Sequence, residues 1–259
     1  MPINADRWYA EIESSTETLA GIVDGTDLTV TVPTCPEWTL RQLATHVGRA
    51  HRWAGEVTST RSAEFIPFRQ VPDGRIPDDR SQQAPWLRAG AARLIDAVRS
   101  AGSDEVWTFG GLRPASFWAR RMAHETAVHR ADAELAAGRD PQIAADVAAD
   151  GIDEWLLGFL SGVGSVAEDP RLGALPDGGV LHVHATDESL ADGAGEWLVR
   201  RDGDQITVEH GHAKGDVALR GPAGRLLLVL VRRLPADDPQ VQVLGDQAVL
   251  TAWLAATPF

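Results

Sequence analysis

Glu125 and His129 are the two residues of this chain best spaced to do chemistry together. They stand four apart in Ala123-His124-Glu125-Thr126-Ala127-Val128-His129-Arg130. In a helix that spacing points both side chains the same way, and a carboxylate and an imidazole so placed can hold one metal ion between them. A helix is predicted over residues 114–137, with Pro114 at an N-terminal position that helices tolerate and Gly138 as the stop. At about 100° per residue, Trp118, Met122, Val128, Ala133, Leu135 and Ala136 share one face, with Glu125 and His129 near its middle. A carboxylate on a core-facing stripe is destabilising unless something compensates it.

Two ligands on one helix need a third from elsewhere, and His46 is the best candidate. It lies beside Leu43, Val47 and Trp53 on a second predicted helix, and an antiparallel bundle can bring it to Glu125 and His129. Two histidines and one carboxylate leave a coordination position open, as catalytic sites require. The set fits zinc without excluding iron, nickel or manganese. Competing readings stand beside this one. Arg121, four residues before Glu125, explains that glutamate as an intrahelical ion pair. His129 could be a core histidine satisfied by Asp132, and Asp132 could equally orient a ligand from behind or be a surface charge. His51 and His124 rank lower because neither lies near the centre of its helix face.

Other reactive residue types read more plainly. Cys35, in Pro33-Thr34-Cys35-Pro36-Glu37-Trp38, could be activated by the helix that follows, but a lone cysteine beside a tryptophan reads as packed and inert. His182 and His184 alternate on a predicted strand with no third partner evident, and are taken as strand residues. Arg232, Arg233 and Arg220 could grip a substrate carboxylate or be solvated surface charges. The chain has no glycine-rich phosphate loop, no Gly-x-Ser-x-Gly, no His-Glu-x-x-His and no Cys-x-x-Cys.

The elements that must position these groups change character along the 259 residues. Helices are predicted from Trp8, Ile12, Leu19 and Val23 with Gly25 as a stop; over residues 39–57 with a Thr39/Gln42 capping box; from near Pro85; over 114–137; and over about 146–166. Residues 29–36 read as a short extended loop and 59–80 as a long one. A Pro-, Gly- and Asp-rich linker over 168–179 separates this half from strands at 180–186, 197–200, 206–209, 217–219 and 241–244. Helices at 222–233 and 247–255 complete the second half. The expected fold is multidomain, α followed by α+β: a four-helix-type bundle over 1–168 and a small α+β domain over 178–259. A formal charge of −13 argues against nucleic acid and anionic membranes as partners. One cysteine, no apolar N-terminal leader and no bilayer-length apolar run fit the cytoplasm.

Several segments together resemble the mycothiol-dependent maleylpyruvate isomerase family, within the wider DinB-type metal-binding superfamily. They are Val32-Pro33-Thr34-Cys35-Pro36-Glu37-Trp38-Thr39 leading to Leu43-Ala44-Thr45-His46; Glu105-Val106-Trp107-Thr108-Phe109; residues 117–130; Gly215-Asp216-Val217-Ala218-Leu219-Arg220-Gly221-Pro222; and Val243-Leu244-Gly245-Asp246. The resemblance implies a DinB-like four-helix bundle, a C-terminal sterol-carrier-like domain, and a divalent metal, usually zinc, at His46, Glu125 and His129. It also implies mycothiol as the external thiol. A metal-activated thiolate would add to an electrophilic small molecule, such as a maleyl double bond, in a cleft between the domains. Elimination then makes the protein an isomerase; retention makes it an S-transferase. A metal-dependent hydrolase and a non-enzymatic carrier are the remaining alternatives. Arg232 and Arg233 are positional candidates for a substrate carboxylate.

Overall fold

The computed structural model describes residues 3–160 and 173–257. The chain divides into two compact units between Pro141 and Gln142.

In the first unit, helix α1 (Ala5–Gly25) is followed by a small hairpin, β1 (Thr31–Val32) and β2 (Cys35–Thr39), where the sequence predicts an extended loop. Helices α2 (Leu40–Ser59) and α3 (Gln83–Ala101) come next, joined by a segment with two short 3-10 turns. A second hairpin, β3 (Glu105–Thr108) and β4 (Gly111–Pro114), leads into α4 (Ser116–Ala136). Pro114 therefore ends a strand, and the helix begins two residues later than predicted. Gly111, at φ +95°, supplies the left-handed residue of the hairpin turn. The Thr39 capping box forms as expected: its hydroxyl accepts from the Gln42 backbone N–H, and the Gln42 side chain accepts from the Thr39 N–H.

The bundle pairs α2 with α3, α1 with α3 and α4, and α2 with α4. Glycines set the α2–α3 approach. The Trp86 ring lies 2.1 Å from where a Cβ on Gly48 would be, and an Arg52 guanidinium nitrogen lies 2.4 Å from a Cβ on Gly90. Arg52 then stacks on Trp86 at 4.0 Å and donates to the Gly48 and Trp86 carbonyls and to Asp73, so a buried cation is fully engaged. Helix α4 is buried on nearly every side from Trp118 to Ala133, while Leu135 and Ala136 are only half-buried. The single apolar stripe expected from its sequence is thus an understatement: the helix is surrounded, and Arg121, His124, Thr126, Arg130 and Asp132 are buried with it.

The second unit starts with α5 (Ala145–Asp153), which continues as a π-helical segment over Glu154–Leu160. The rest of the predicted fifth helix and the first part of the predicted linker, residues 161–172, lie outside the described residues. Strands β5 (Val180–Ala185), β6 (Glu196–Asp202), β7 (Gln205–His210), β8 (Val217–Gly221) and β9 (Gln242–Gly245) form one sheet in the order β7-β6-β5-β8-β9. All neighbours are antiparallel except β5 and β8. Helix α6 (Ala223–Leu230), shorter than predicted, and α7 (Gln247–Ala256) complete the unit. The sequence places residues 146–166 with the bundle; in the structure α5 packs on α6, and Trp197 of β6 donates its indole N–H to Asp153.

Replacing Gly48 by alanine forces the buried Trp86 ring out of its seat. Overpacking of this kind destabilises by roughly 1–3 kcal/mol, against about 1 kcal/mol that alanine gains over glycine inside a helix. Urea unfolding followed by tryptophan fluorescence should show a lower midpoint for Gly48→Ala; a midpoint at or above wild type contradicts the packing described.

Candidate metal centre

The capping box at Thr39 starts α2 so that His46 falls nearly two turns in, on the side that meets α4. There the Nε2 atom of His46 lies 2.8 Å from Glu125 Oε1, and Nε2 of His129 lies 3.4 Å from the same oxygen. The two imidazole rings meet edge-on, 4.8 Å between centroids. The three candidate ligand atoms lie within 4.8 Å of one another. The structure therefore brings together all three residues nominated from spacing. His129 is the deepest, with its side chain 8% exposed, and His46 the most open at 28%. Trp38, at the end of the small hairpin, covers both rings at 5.0 and 6.3 Å.

Behind His129 stands Asp132, which is fully buried and not a surface charge. The Nδ1–H of His129 donates to Asp132 Oδ2 at 2.8 Å, and the hydroxyl of Thr34 donates to Oδ1. That pairing fixes the ring and its tautomer, so that Nε2 is the nitrogen facing Glu125 and His46. The ion pair offered by Arg121 is also present, but on the other carboxylate oxygen: Arg121 Nη2 donates to Oε2 at 3.0 Å. The two readings of Glu125 coexist, with Oε2 neutralised along the helix and Oε1 turned to the histidines.

Electrostatics match the geometry. Burial alone would raise the Glu125 pKa, but hydrogen bonds from His129 and His46 and the charge of Arg121 hold it well below the usual carboxylate range. Burial alone would lower that of His129, yet hydrogen bonds to Asp132 and Glu125 outweigh it and lift it to about 9. An imidazolium between two carboxylates is how these charges balance with a proton. A divalent cation satisfies the same carboxylates, and it competes with the proton for Nε2. Two imidazole nitrogens and one carboxylate oxygen, with the second nitrogen of a ligand held by a buried carboxylate, fit a divalent ion of the zinc type.

The remaining candidates separate. His51 is buried and structural: Thr126 gives its hydroxyl proton to the Met122 carbonyl and so accepts from His51 Nε2–H at 2.8 Å. His51 Nδ1 is left bare. His124 is buried as well. Cys35 is half-buried in β2, paired by register with Val32. Just past α6, Arg232 is exposed at φ +60°, and Arg233 donates to the Val231 carbonyl. Arg220 contacts Gln242 at the sheet edge. His182 and His184 do have partners that the sequence reading missed, Glu196 and His212. Strand alternation shows the histidine pair, but Glu196 follows only from the register of β5 with β6 and His212 only from the path of the connection after β7.

The model for the mycothiol maleylpyruvate isomerase N-terminal domain matches residues 9–134, and that for the family's C-terminal domain matches 146–252. The chain belongs to the mycothiol-dependent maleylpyruvate isomerase family. It is an enzyme of that family, built as a helical N-terminal domain followed by a sheet-containing C-terminal one. Two crystal structures of mycothiol-dependent maleylpyruvate isomerase share the fold. One is of a histidine-to-alanine mutant, with TM-score 0.61, 15% identity and 93% of each chain covered. The other has TM-score 0.60 at the same identity and coverage. Comparison with curated proteins gives no match. Among the described residues no helix is long and apolar enough to cross a membrane.

His51 makes the bundle sensitive to acid. Burial, and next the charge of Arg52, push its pKa from 6.5 down to about 4, so the unfolded chain takes up a proton that the folded chain refuses. Its contribution is present above pH 6.5 and is lost as pH falls toward 4. Between pH 7 and 5 the wild type should lose roughly 2 kcal/mol more unfolding free energy than His51→Gln. Equal losses in urea titrations at the two pH values would contradict a neutral buried His51.

Proposed function

We propose that the enzyme catalyses cis–trans isomerisation of a small electrophile of the maleylpyruvate type, using mycothiol as cofactor, at a divalent metal held by His46, Glu125 and His129. The observation that carries the reading is the meeting of two imidazole Nε2 atoms, from α2 and α4, at one oxygen of Glu125. Zinc is the metal this donor set suits best. When bound, such an ion supplies Lewis acidity that keeps a thiol ionised at neutral pH. Thiolate addition to the cis double bond leaves a single bond; rotation and expulsion of the thiolate then give the trans isomer and regenerate the thiol.

The chain's own residues prepare this site. Asp132 and Thr34 hold His129 in one orientation. Arg121 restrains the far oxygen of Glu125 and adds its charge to the hydrogen bonds from His129 and His46 that keep the carboxylate ionised. The greater exposure of His46 marks the side from which a thiol and substrate can approach. Cys35, half-buried in a strand, leaves the nucleophile's role to an external thiol. A carboxylate-binding role for Arg232 and Arg233 belongs to the same proposal; Arg232 is the more available, because Arg233 already caps a carbonyl. The setting proposed for this chemistry is the cytoplasm.

Incubation with mycothiol and maleylpyruvate, followed by NMR of the products, tests the reading. The trans isomer should appear only with thiol present, and His46→Ala should abolish turnover and the ion held in the bundle. Asp132→Asn should bind zinc about 10–100-fold more weakly while keeping the fold, as loss of a ligand's supporting carboxylate does. Accumulation of a thiol–substrate adduct would make the enzyme a transferase, and turnover without thiol would sink the proposal.

A further inference from the structure

The second unit carries a cluster that the proposed reaction does not use. His182 and His184 lie two apart on β5 and share a face, and the register of β5 with β6 sets Glu196 directly opposite His184. His212 lies two residues beyond the end of β7. Three imidazole nitrogens converge on one carboxylate oxygen, Glu196 Oε2: His182 Nε2 at 2.8 Å, His184 Nδ1 at 3.5 Å and His212 Nδ1 at 2.5 Å. The four candidate ligand atoms lie within 4.8 Å of one another. His182 is 5% exposed, so the cluster has a buried floor.

We propose that His182, His184, Glu196 and His212 form a second binding site, for a divalent transition-metal ion such as zinc, that clips the β7–β8 connection onto the sheet. A carboxylate oxygen has two lone pairs and cannot serve three imidazole donors equally well. Three histidines and one carboxylate are, however, a complete tetrahedral donor set for zinc-like ions. In the bundle, two imidazole nitrogens converge in the same way on Glu125 Oε1. The ligand count distinguishes the two: three in the bundle leave a position open for chemistry, whereas four here close the site and give it a structural role.

Topology says what would be clipped. In the sheet β7 and β8 are separated by β6 and β5, yet only residues 211–216 join them. The connection leaves β7 where His210 pairs with Trp197 and enters β8 where Val217 pairs with Leu181. It must therefore run across β6 and β5. A Cβ on Gly211 would lie 3.3 Å from the side chain of Leu198, whose register partner is His182. A Cβ on Gly215 would come within 2.8 Å of the Val180 carbonyl oxygen on β5 and 2.7 Å of that of Val217, so only glycine allows this approach. His212 lies on this crossing, with its side chain 71% exposed, and is the one ligand outside a strand. A cation would tie it to both strands beneath.

The test is zinc stoichiometry after reconstitution and removal of loosely bound ion, measured by elemental analysis on the full chain. Wild type should hold two ions, the His46→Ala/His129→Ala double variant one, and His212→Ala one. His212 is exposed, so its loss should leave the fold intact by circular dichroism. Glu196→Gln, which keeps the side chain's shape, should also lose one ion. Cobalt(II) should give a tetrahedral absorption band in the His46→Ala/His129→Ala variant that His212→Ala in the same background abolishes. Zinc should raise that variant's thermal midpoint, and His212→Ala should remove the rise. A single ion in wild type that survives His212→Ala and Glu196→Gln overturns the second site. A single ion that survives His46→Ala/His129→Ala but not His212→Ala supports it, and overturns the bundle site instead.

Discussion

The bundle is organised around one ionised carboxylate away from bulk water. Glu125 has its side chain 17% exposed and stays charged because each oxygen meets nitrogen donors. An ion so placed is tolerated only when its partners are held in position, since losing one leaves an uncompensated charge. That requirement reaches well beyond the site. It fixes where α2 must start, since the Thr39 cap sets the turn on which His46 appears. It gives the β1–β2 hairpin a task, because Thr34 must reach Asp132 from there. It also orders one stripe of α4, along which Arg121 meets Glu125, Glu125 meets His129 and His129 meets Asp132.

The close α2–α3 approach belongs to the same logic. Gly48 lies two residues after His46, and the space it leaves is filled by Trp86, which in turn carries Arg52. The segment between α2 and α3 is anchored by the same group, through Asp73 accepting from Arg52 and the Asp73 carbonyl accepting from Trp86. A second buried cation is thus matched within a few residues of the candidate ligands, and the helix bearing His46 is held on both sides.

Most helices were legible because helical spacing and caps are local. The Thr39/Gln42 box and the Glu125/His129 pair need only four or five residues of sequence to be read. What escaped was non-local or low in contrast. The hairpin at residues 105–114 ends on a proline that also suits a helix start, so local pattern places the start of α4 two residues early. Helix α4 itself is buried all round, and a surrounded helix has no clean polar face for periodicity to find. The assignment of α5 to the second unit depends on its packing against α6, which no local pattern encodes. Asp132 was left ambiguous because its partner Thr34 is about a hundred residues away.

The same distinction separates the two histidine clusters. On α4 the ligands are neighbours through one helical turn, and spacing alone could nominate them. On the sheet, His184 meets Glu196 only because β5 and β6 pair in one particular register, and a slip by one residue would turn Glu196 to the opposite face. His212 joins them only because a six-residue connection crosses two strands. Each step carries a group toward a common point, yet none is visible in the chain read linearly. A helix can advertise a polyvalent site in its sequence, whereas a sheet conceals one until its register is known.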